Sequence, residues 1–342
     1  MDITIKDVAR EANVATSTVS RVLKDSPAIS EATKQKVREV MDRMGYYPNF
    51  QAQSLAGRNT QTIGIIMPNS AYHSFGNPFF SEVLRGISIY ASEKKYGLYL
   101  STSATEEHMY EEVVAMVQGK RVDGILMLYS RKNDKLMTYL EGATIPLTVI
   151  GRPYKKSNRI TFVDNDNIDT TKKITSHLIK LGHRRIGFIG GSLEFVVTID
   201  RLQGYKDALK EAGIEVDSRY IIHNEEMKRK REDLMNLFLS QDKAPTALVV
   251  QDDLTAYEMI SLLEASGIQV PDDVSIISFN NHSLSEHSRP ALTSVDIHIF
   301  QLGYEATGCL IDQIKNPATP VKRIIIPADL IIRDSCTPFC RE

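Results

Sequence analysis

Past residue 60 the chain repeats one pattern, a short apolar run rich in Ile and Val followed by a segment of helix length. The runs are Ile63-Gly64-Ile65-Ile66-Met67, Gly124-Ile125-Leu126-Met127, Leu147-Thr148-Val149-Ile150, Ile186-Gly187-Phe188-Ile189, Ala247-Leu248-Val249-Val250 and Val274-Ser275-Ile276-Ile277. Runs without polar alternation describe strands covered on both faces, and strands alternating with helices describe parallel sheets with helices on either side. There are enough strands for two doubly wound sheets. Ligands of such sheets bind beyond the carboxyl ends of the strands, and between two lobes those ends form one cleft.

The first sixty residues lack this pattern. Thr4-Ile5-Lys6-Asp7 offers a capping hydroxyl with an acid three residues later, and Val8, Ala9 and Ala12 then recur on one helical face. After Asn13-Val14-Ala15, the residues Val19, Val22 and Leu23 form the stripe of a second helix whose other face shows Thr16, Ser17, Ser20 and Arg21. A third helix starts at Ser30, turns Val37, Val40, Met41 and Met44 inward, and stops at Gly45. This is a compact three-helix bundle. Small polar groups and an Arg fork on the second helix suit a major groove, with sequence readout on Thr16, Ser17 and Arg21; a three-helix adaptor with a polar surface fits the same pattern.

Charge separates the two parts. The net charge of the 342 residues is -2, yet residues 1–60 carry nine Lys and Arg against seven Asp and Glu, so only the front leans basic. No apolar run approaches the roughly 18 residues of a membrane span, and the opening MDITIKDVAR does not read as a secretion signal. The three cysteines, Cys309, Cys336 and Cys340, suit a reducing compartment and do not cluster with other metal ligands. A cytoplasmic protein is expected. Gly190-Gly191-Ser192 lacks the spacing of a phosphate cradle and neither HExxH nor CxxC occurs, so no enzymatic activity, cofactor or metal is expected.

The strand ends and nearby loops supply Asn69, Tyr72, Phe75, Asn77, Arg152, Phe195, Arg201, Asp252, Asn280 and His298. Aromatic faces with Arg, Asp and Asn are the combination that sugars need: rings pack on the C–H faces and the polar groups take the hydroxyls. Tyr72 and Phe75 equally suit loop packing, and Asp252-Asp253 equally suits a helix cap.

The stretch from Thr4 to Gly57, with Asp7-Val8-Ala9, Thr18-Val19-Ser20-Arg21-Val22, Tyr47-Pro48-Asn49 and Ser54-Leu55-Ala56, resembles the DNA-binding segment of the lactose/galactose repressor family, and the resemblance runs on through nearly the whole chain. It implies an all-α helix-turn-helix headpiece over residues 1–49, a hinge over 50–60, and an α/β periplasmic-binding-protein-like core over 61–342. Within that core it implies an N-lobe of 61–162 plus 293–321 and a C-lobe of 163–292 plus 322–337. DNA contacts are carried onto Thr4, Thr16, Ser17, Thr18, Ser20, Arg21 and Asn49, with Ala52 and Leu55 in a hinge helix whose leucine wedges open a base step of the minor groove. Residues 50–60 are too few for a helix stable alone, and a plain linker also fits them.

The partners implied are double-stranded operator DNA, a sugar effector and a second copy of the chain. Arg201, in Arg201-Leu202-Gln203-Gly204-Tyr205, matches the family's sugar-hydroxyl arginine, and Asp252 and Asn280 fall at strand ends that line its effector pocket. Two departures weaken lactose-type selectivity: Gly151 stands before Arg152-Pro153 where lactose-responsive members carry an aspartate, and Asn280-Asn281 replaces the usual Asp pair. Asn77-Pro78-Phe79-Phe80, Gly119-Lys120-Arg121-Val122-Asp123-Gly124, Val163-Asp164-Asn165-Asp166-Asn167 and Phe188-Ile189-Gly190-Gly191-Ser192 look like the maltose-operon branch, so maltose or a short maltodextrin is the expected effector. A phosphoprotein corepressor, or a sugar-binding protein with no DNA role, are the alternatives. No leucine heptad follows Arg333, so a dimer is expected rather than a coiled-coil tetramer.

Overall fold

The computed structural model describes residues 3–23, 25–47, 59–68, 76–101, 103, 105–223, 231–240 and 244–339. The expected contacts at Asn49, Ala52 and Leu55, and the loop residues Asn69, Tyr72 and Phe75, lie outside the described residues. The chain divides into two units, Met1–Thr60 and Gln61–Glu342.

In the first unit α1 (Ile5–Glu11) follows Thr4, and the Asp7 carboxylate turns back to accept from the Thr4 N–H at 3.0 Å and from its hydroxyl at 2.6 Å. These bonds hold the Asp7 carboxyl below the usual carboxylate range. Asn13, at φ 51°, turns the chain into α2 (Thr16–Leu23). Ser30 caps α3 (Glu31–Met44) by accepting from the Thr33 N–H at 3.3 Å. The helix ends at Gly45, where φ is 66° and the N–H groups of Gly45 and Tyr46 donate back to the carbonyls of Asp42 and Met41. Val8, Ala9, Ala12, Val19, Val22, Val37 and Val40 make the core, with Leu23, Met41 and Met44 at its margin.

The second unit holds two six-stranded sheets. In the first, β1 (Thr62–Ile66), β2 (Gly97–Leu100), β3 (Gly124–Met127), β4 (Leu147–Ile150), β5 (Thr161–Asp164) and β11 (Arg323–Ile325) run parallel in the order β11-β5-β4-β3-β1-β2. The second comprises β6 (Ile186–Gly190), β7 (Ile221–His223), β8 (Ala247–Val250), β9 (Ser275–Phe279), β10 (Thr293–Asp296) and β12 (Asp329–Ile331) in the order β12-β10-β9-β8-β6-β7, with the β10–β12 pair antiparallel. Helices α4 (Pro78–Glu93), α5 (Glu106–Gln118), α6 (Lys135–Gly142) and α12 (Ile299–Lys315) belong with the first sheet. The second has α7 (Asn167–Lys180), α8 (Val196–Glu211), α9 (Arg231–Phe238), α10 (Asp253–Ala265) and the short α11 (Ser283–His287). The six apolar runs read from the sequence all fall on these strands or at their edges, and the core strands are buried on both faces.

The chain passes between the lobes three times: from β5 to α7, from β10 to α12, and from β11 to β12. All three lobe boundaries therefore differ from expectation: Val163 and Asp164, expected in the C-lobe, end β5 in the N-lobe sheet, with Val163 opposite Ile150. Residues 293–296, expected in the N-lobe, pair with β9 (Thr293 opposite Ile277) and stay in the C-lobe sheet, because β10 extends the sheet its chain has just left and the switch follows it. Residues 323–325, expected in the C-lobe, pair with β5 (Arg323 opposite Phe162) and complete the N-lobe sheet. One side chain ties all three passages. The Asn165 amide, on the first, donates to the Ile297 carbonyl on the second at 3.1 Å and to the Ile326 carbonyl on the third at 3.0 Å.

Helices α7 and α8 approach unusually closely at Gly204, where an added Cβ would lie 2.1 Å from the backbone oxygen of Ile168. Only glycine permits this spacing, and it seats the preceding turn of α8, with Asp200 and Arg201, against the start of α7.

Candidate functional site

The carboxyl ends of both sheets face a cleft of about 1340 Å³. Ile150 and Asp164 end β4 and β5 on one side; Gly190 ends β6, while Gln251, Asp252 and Asn280 follow β8 and β9 on the other. Of the residues expected there, Asn77, Arg152, Phe195, Arg201, Asp252 and Asn280 line the cleft. His298 does not: it takes φ 52° and its Nε2 lies 2.9 Å from an Asp329 carboxylate oxygen.

Arg201 is 7% exposed, and its guanidinium stacks 3.7 Å from the centroid of the Phe279 ring. It donates through Nε to Asn167 Oδ1 at 3.1 Å and through Nη1 to the Gln251 carbonyl at 2.5 Å. Burial pulls its pKa down to about 10, opposed by the nearby carboxylates of Asp252 and Asp164. Asp252 accepts from the Thr255 N–H at 2.8 Å, so it caps α10 and lines the cleft at once, and burial raises its pKa. Asn77 likewise caps α4 through the Phe79 N–H at 3.0 Å. Asn280 sits at φ 101°, which turns the chain sharply out of β9.

Several cleft residues escaped the sequence reading. Asp164 accepts from the backbone N–H groups of Arg152 and Asn165 at 2.8 Å each and from the Asn167 amide at 3.1 Å, and burial pushes its pKa up to about 6. Tyr129, Ser130 and Arg131 follow β3, at the same kind of strand end that marked Asn280, so that rule would have found them. Arg131 pairs with Glu106, lies 4.7 Å over the Phe195 ring and reaches to 4.0 Å from Glu194. Backbone bonds join the same segments across the lobes: Lys132 N–H donates to the Glu194 carbonyl at 2.7 Å and Val196 N–H to the Ser130 carbonyl at 3.0 Å. Asp200, which pairs with the cleft residue Arg152, was also missed. It lies inside α8, where no strand-end signal points, and receives Nε of Arg152 at 2.6 Å and Nη2 of the same guanidinium at the second oxygen. That bond raises the Arg152 pKa.

Among the described residues no group of His, Cys, Asp and Glu could hold a metal ion, and no helix is long and apolar enough to cross a membrane. Cys309 is buried and Cys336 half-buried, and burial pushes the Cys336 thiol up to about 11.

In the first unit Thr16, Ser17 and Arg21 are exposed on α2 and Thr18 and Ser20 half-buried. Four of the seven described cations of this unit are compensated: Arg10 by Asp7, Lys34 by Asp25 at 3.1 Å and Glu31 at 2.8 Å, Arg38 by Asp25 at 2.9 Å, and Arg43 by Glu11 at 2.8 Å. Among the described residues Lys6, Arg21 and Lys36 make no ion pair, which leaves Arg21 the uncompensated guanidinium on the polar face of α2.

Residues 4–49 match the model of the lacI family of bacterial regulatory proteins, and residues 175–336 that of a periplasmic binding protein-like domain. The regulator MalR of Streptococcus pneumoniae is 36% identical over 89% of this chain and 90% of its own length. A solved regulator described as LacI from Bacillus cereus subsp. cytotoxis is 45% identical, with a TM-score of 0.78 over 82% of this chain and 99% of its own. The solved complex of the regulator CelR with cellobiose is 30% identical, with a TM-score of 0.75 over 97% of this chain and 99% of its own. The chain spans nearly the full length of the MalR and CelR relatives, and it belongs to the LacI family of bacterial transcriptional regulators, a family of regulators and not of enzymes.

Proposed function

We propose that the protein is a dimeric cytoplasmic repressor that binds a pseudopalindromic operator and is released from it by maltose or a short maltodextrin. The observation that carries this reading is the cleft itself: Arg201, Asp252 and Asn280 converge with the aromatic Phe195 at its wall, in one chain with a unit that exposes Thr16, Ser17 and Arg21. Planar hydrogen-bonding groups beside an aromatic ring suit sugar hydroxyls and C–H faces. The volume exceeds the roughly 300–1,000 Å³ of sites for small ligands, leaving room for more than one sugar ring. Similarity to MalR supports an α-linked glucoside, and Asn69, Tyr72 and Phe75 would complete the binding surface.

On DNA, Thr4, Thr16, Ser17, Thr18, Ser20, Arg21 and Asn49 would contact the operator, with Ala52 and Leu55 entering the minor groove from the hinge. Sugar-driven closure of the cleft would part the paired hinges of the dimer. A coupling of about 1–3 kcal/mol changes affinity roughly 5- to 150-fold, and it acts equally in both directions. The test is binding to a labelled palindrome from the region upstream of the gene, titrated at fixed salt with maltose, maltotriose, cellobiose, lactose and glucose. Release by maltose or maltotriose supports the reading; release by cellobiose alone reassigns the effector, and tight binding indifferent to every sugar removes it.

A further inference from the structure

Three cations line the cleft among the described residues, and each already has partners within the protein. Arg131 pairs with Glu106 and lies over the Phe195 ring; Arg201 is buried and commits Nε and Nη1 to Asn167 and the Gln251 carbonyl. Arg152 differs from both. Its side chain is 36% exposed at the cleft wall, the most accessible of the three. It would be the natural receptor for a phosphate or carboxylate, since a guanidinium grips such groups through two parallel donors. Those two donors, Nε and Nη2, are held instead by Asp200, which is 5% exposed and reaches across from the other lobe. Carboxylates of Asp164, Asp252 and Glu258 line the same space.

We infer that Asp200 sets the charge class of the effector: by occupying the bidentate edge of Arg152 it makes the cleft selective for an uncharged sugar and closes it to phosphorylated or acidic ones. The inference rests on the reading of the cleft as an effector site. An anion entering it would have to displace Asp200 and leave that carboxylate buried without its partner, or lie beside three further carboxylates. Asp200 need not touch the sugar. It is a positioning residue that acts through Arg152, and its predicted signature is a gain of binding, which a purely structural role would not produce.

The experiment is calorimetric titration of the full chain at low ionic strength with maltose, maltose 6′-phosphate and inorganic phosphate. Wild type should bind the phosphorylated sugar far more weakly than maltose and show no heat with phosphate. Asp200→Asn, nearly the same shape without the charge, should bind phosphate and maltose 6′-phosphate at least about tenfold more tightly than wild type, and adding Arg152→Met should abolish that gain. Asp200→Ser gives the same comparison should the amide disturb α8. Equal wild-type affinity for the neutral and phosphorylated sugars, or a folded Asp200 variant with no gain for phosphate, overturns the inference. Failure of maltose to bind wild type strikes the sugar assignment alone, because the phosphate comparison between wild type and variant still decides the role of Asp200.

Discussion

Adding one methyl group at Gly204, away from the cleft wall, should disable the effector site. The Cβ of alanine would stand 2.1 Å from the backbone oxygen of Ile168, and no flexible side chain is there to yield. Restoring ordinary contact requires α7 and α8 to part by roughly 1.3 Å in an interior packed to crystal density. Arg201 lies one turn before Gly204 and bonds Asn167 at the start of α7 over 3.1 Å, so the same displacement carries that bond beyond reach. Overpacking costs about 1–3 kcal/mol and a lost hydrogen bond to a charged group about 1.5–3 kcal/mol, together a loss of roughly 2.5–6 kcal/mol in stability. Urea unfolding gives the stability, and calorimetry with maltose gives the site, where binding should fall at least tenfold. Gly142→Ala is the control: nothing lies within 4 Å of its added Cβ at the end of α6, so stability should hold or rise by up to about 1 kcal/mol. A Gly204→Ala protein that unfolds at the wild-type urea concentration and binds maltose normally would refute the reasoning.

Arg21→Ala should weaken operator binding by about 1–3 kcal/mol, whereas Arg43→Ala, already compensated by Glu11, should change it by less than about 0.5 kcal/mol; equal effects in a gel-shift titration would count against the assignment of the α2 face. The buried Asp253 carboxylate accepts from the hydroxyls of Ser278, Ser285 and Ser294 and from the His282 N–H, so Asp253→Ala leaves four donors stranded and should cost about 3–5 kcal/mol in denaturant unfolding. Asp164 has its pKa raised by burial from 3.8 to about 6, so its protonated form favours the fold: that stabilisation is full below pH 3.8 and is lost as pH rises through 6. Relative to Asp164→Asn, wild type should therefore lose about 2 kcal/mol between pH 4 and pH 7, and a difference that does not vary with pH would disprove this account.

Strands and helices were legible because burial on both faces leaves an unbroken apolar run, as in Ile63–Met67 and Ala247–Val250, and because Thr4, Ser30 and Gly45 mark helix ends by local chemistry. Lobe membership was less so. The sequence of β10 states that it is a strand but not which neighbour it pairs with, since pairing is decided by where the chain turns afterwards. The same limit governs the cleft. Asp252 and Asn280 follow obvious strands and could be placed, while Asp200 is a helical residue whose meaning depends on Arg152, 48 positions away and in the other lobe. Asn165 carries no local sign that it joins three passages, because two of its partners are backbone carbonyls of distant segments.

The discontinuous lobes also dictate an order of events on the ribosome. The three helices of the headpiece are complete once Met44 has emerged, and their contacts are all local. The N-lobe sheet cannot close at that stage or for long after, because β5 ends at Asp164 while its outer neighbour β11 begins at Arg323. Nor can the C-lobe finish before β12 at Asp329–Ile331. A nascent chain thus carries a folded DNA reader while the core that governs it is still open, with the edge of β5 bare and available to wrong partners. Synthesis halted between these points would release a head able to find DNA and a core unable to hold a sugar, which makes the last strands of the chain a checkpoint on regulation as well as on folding.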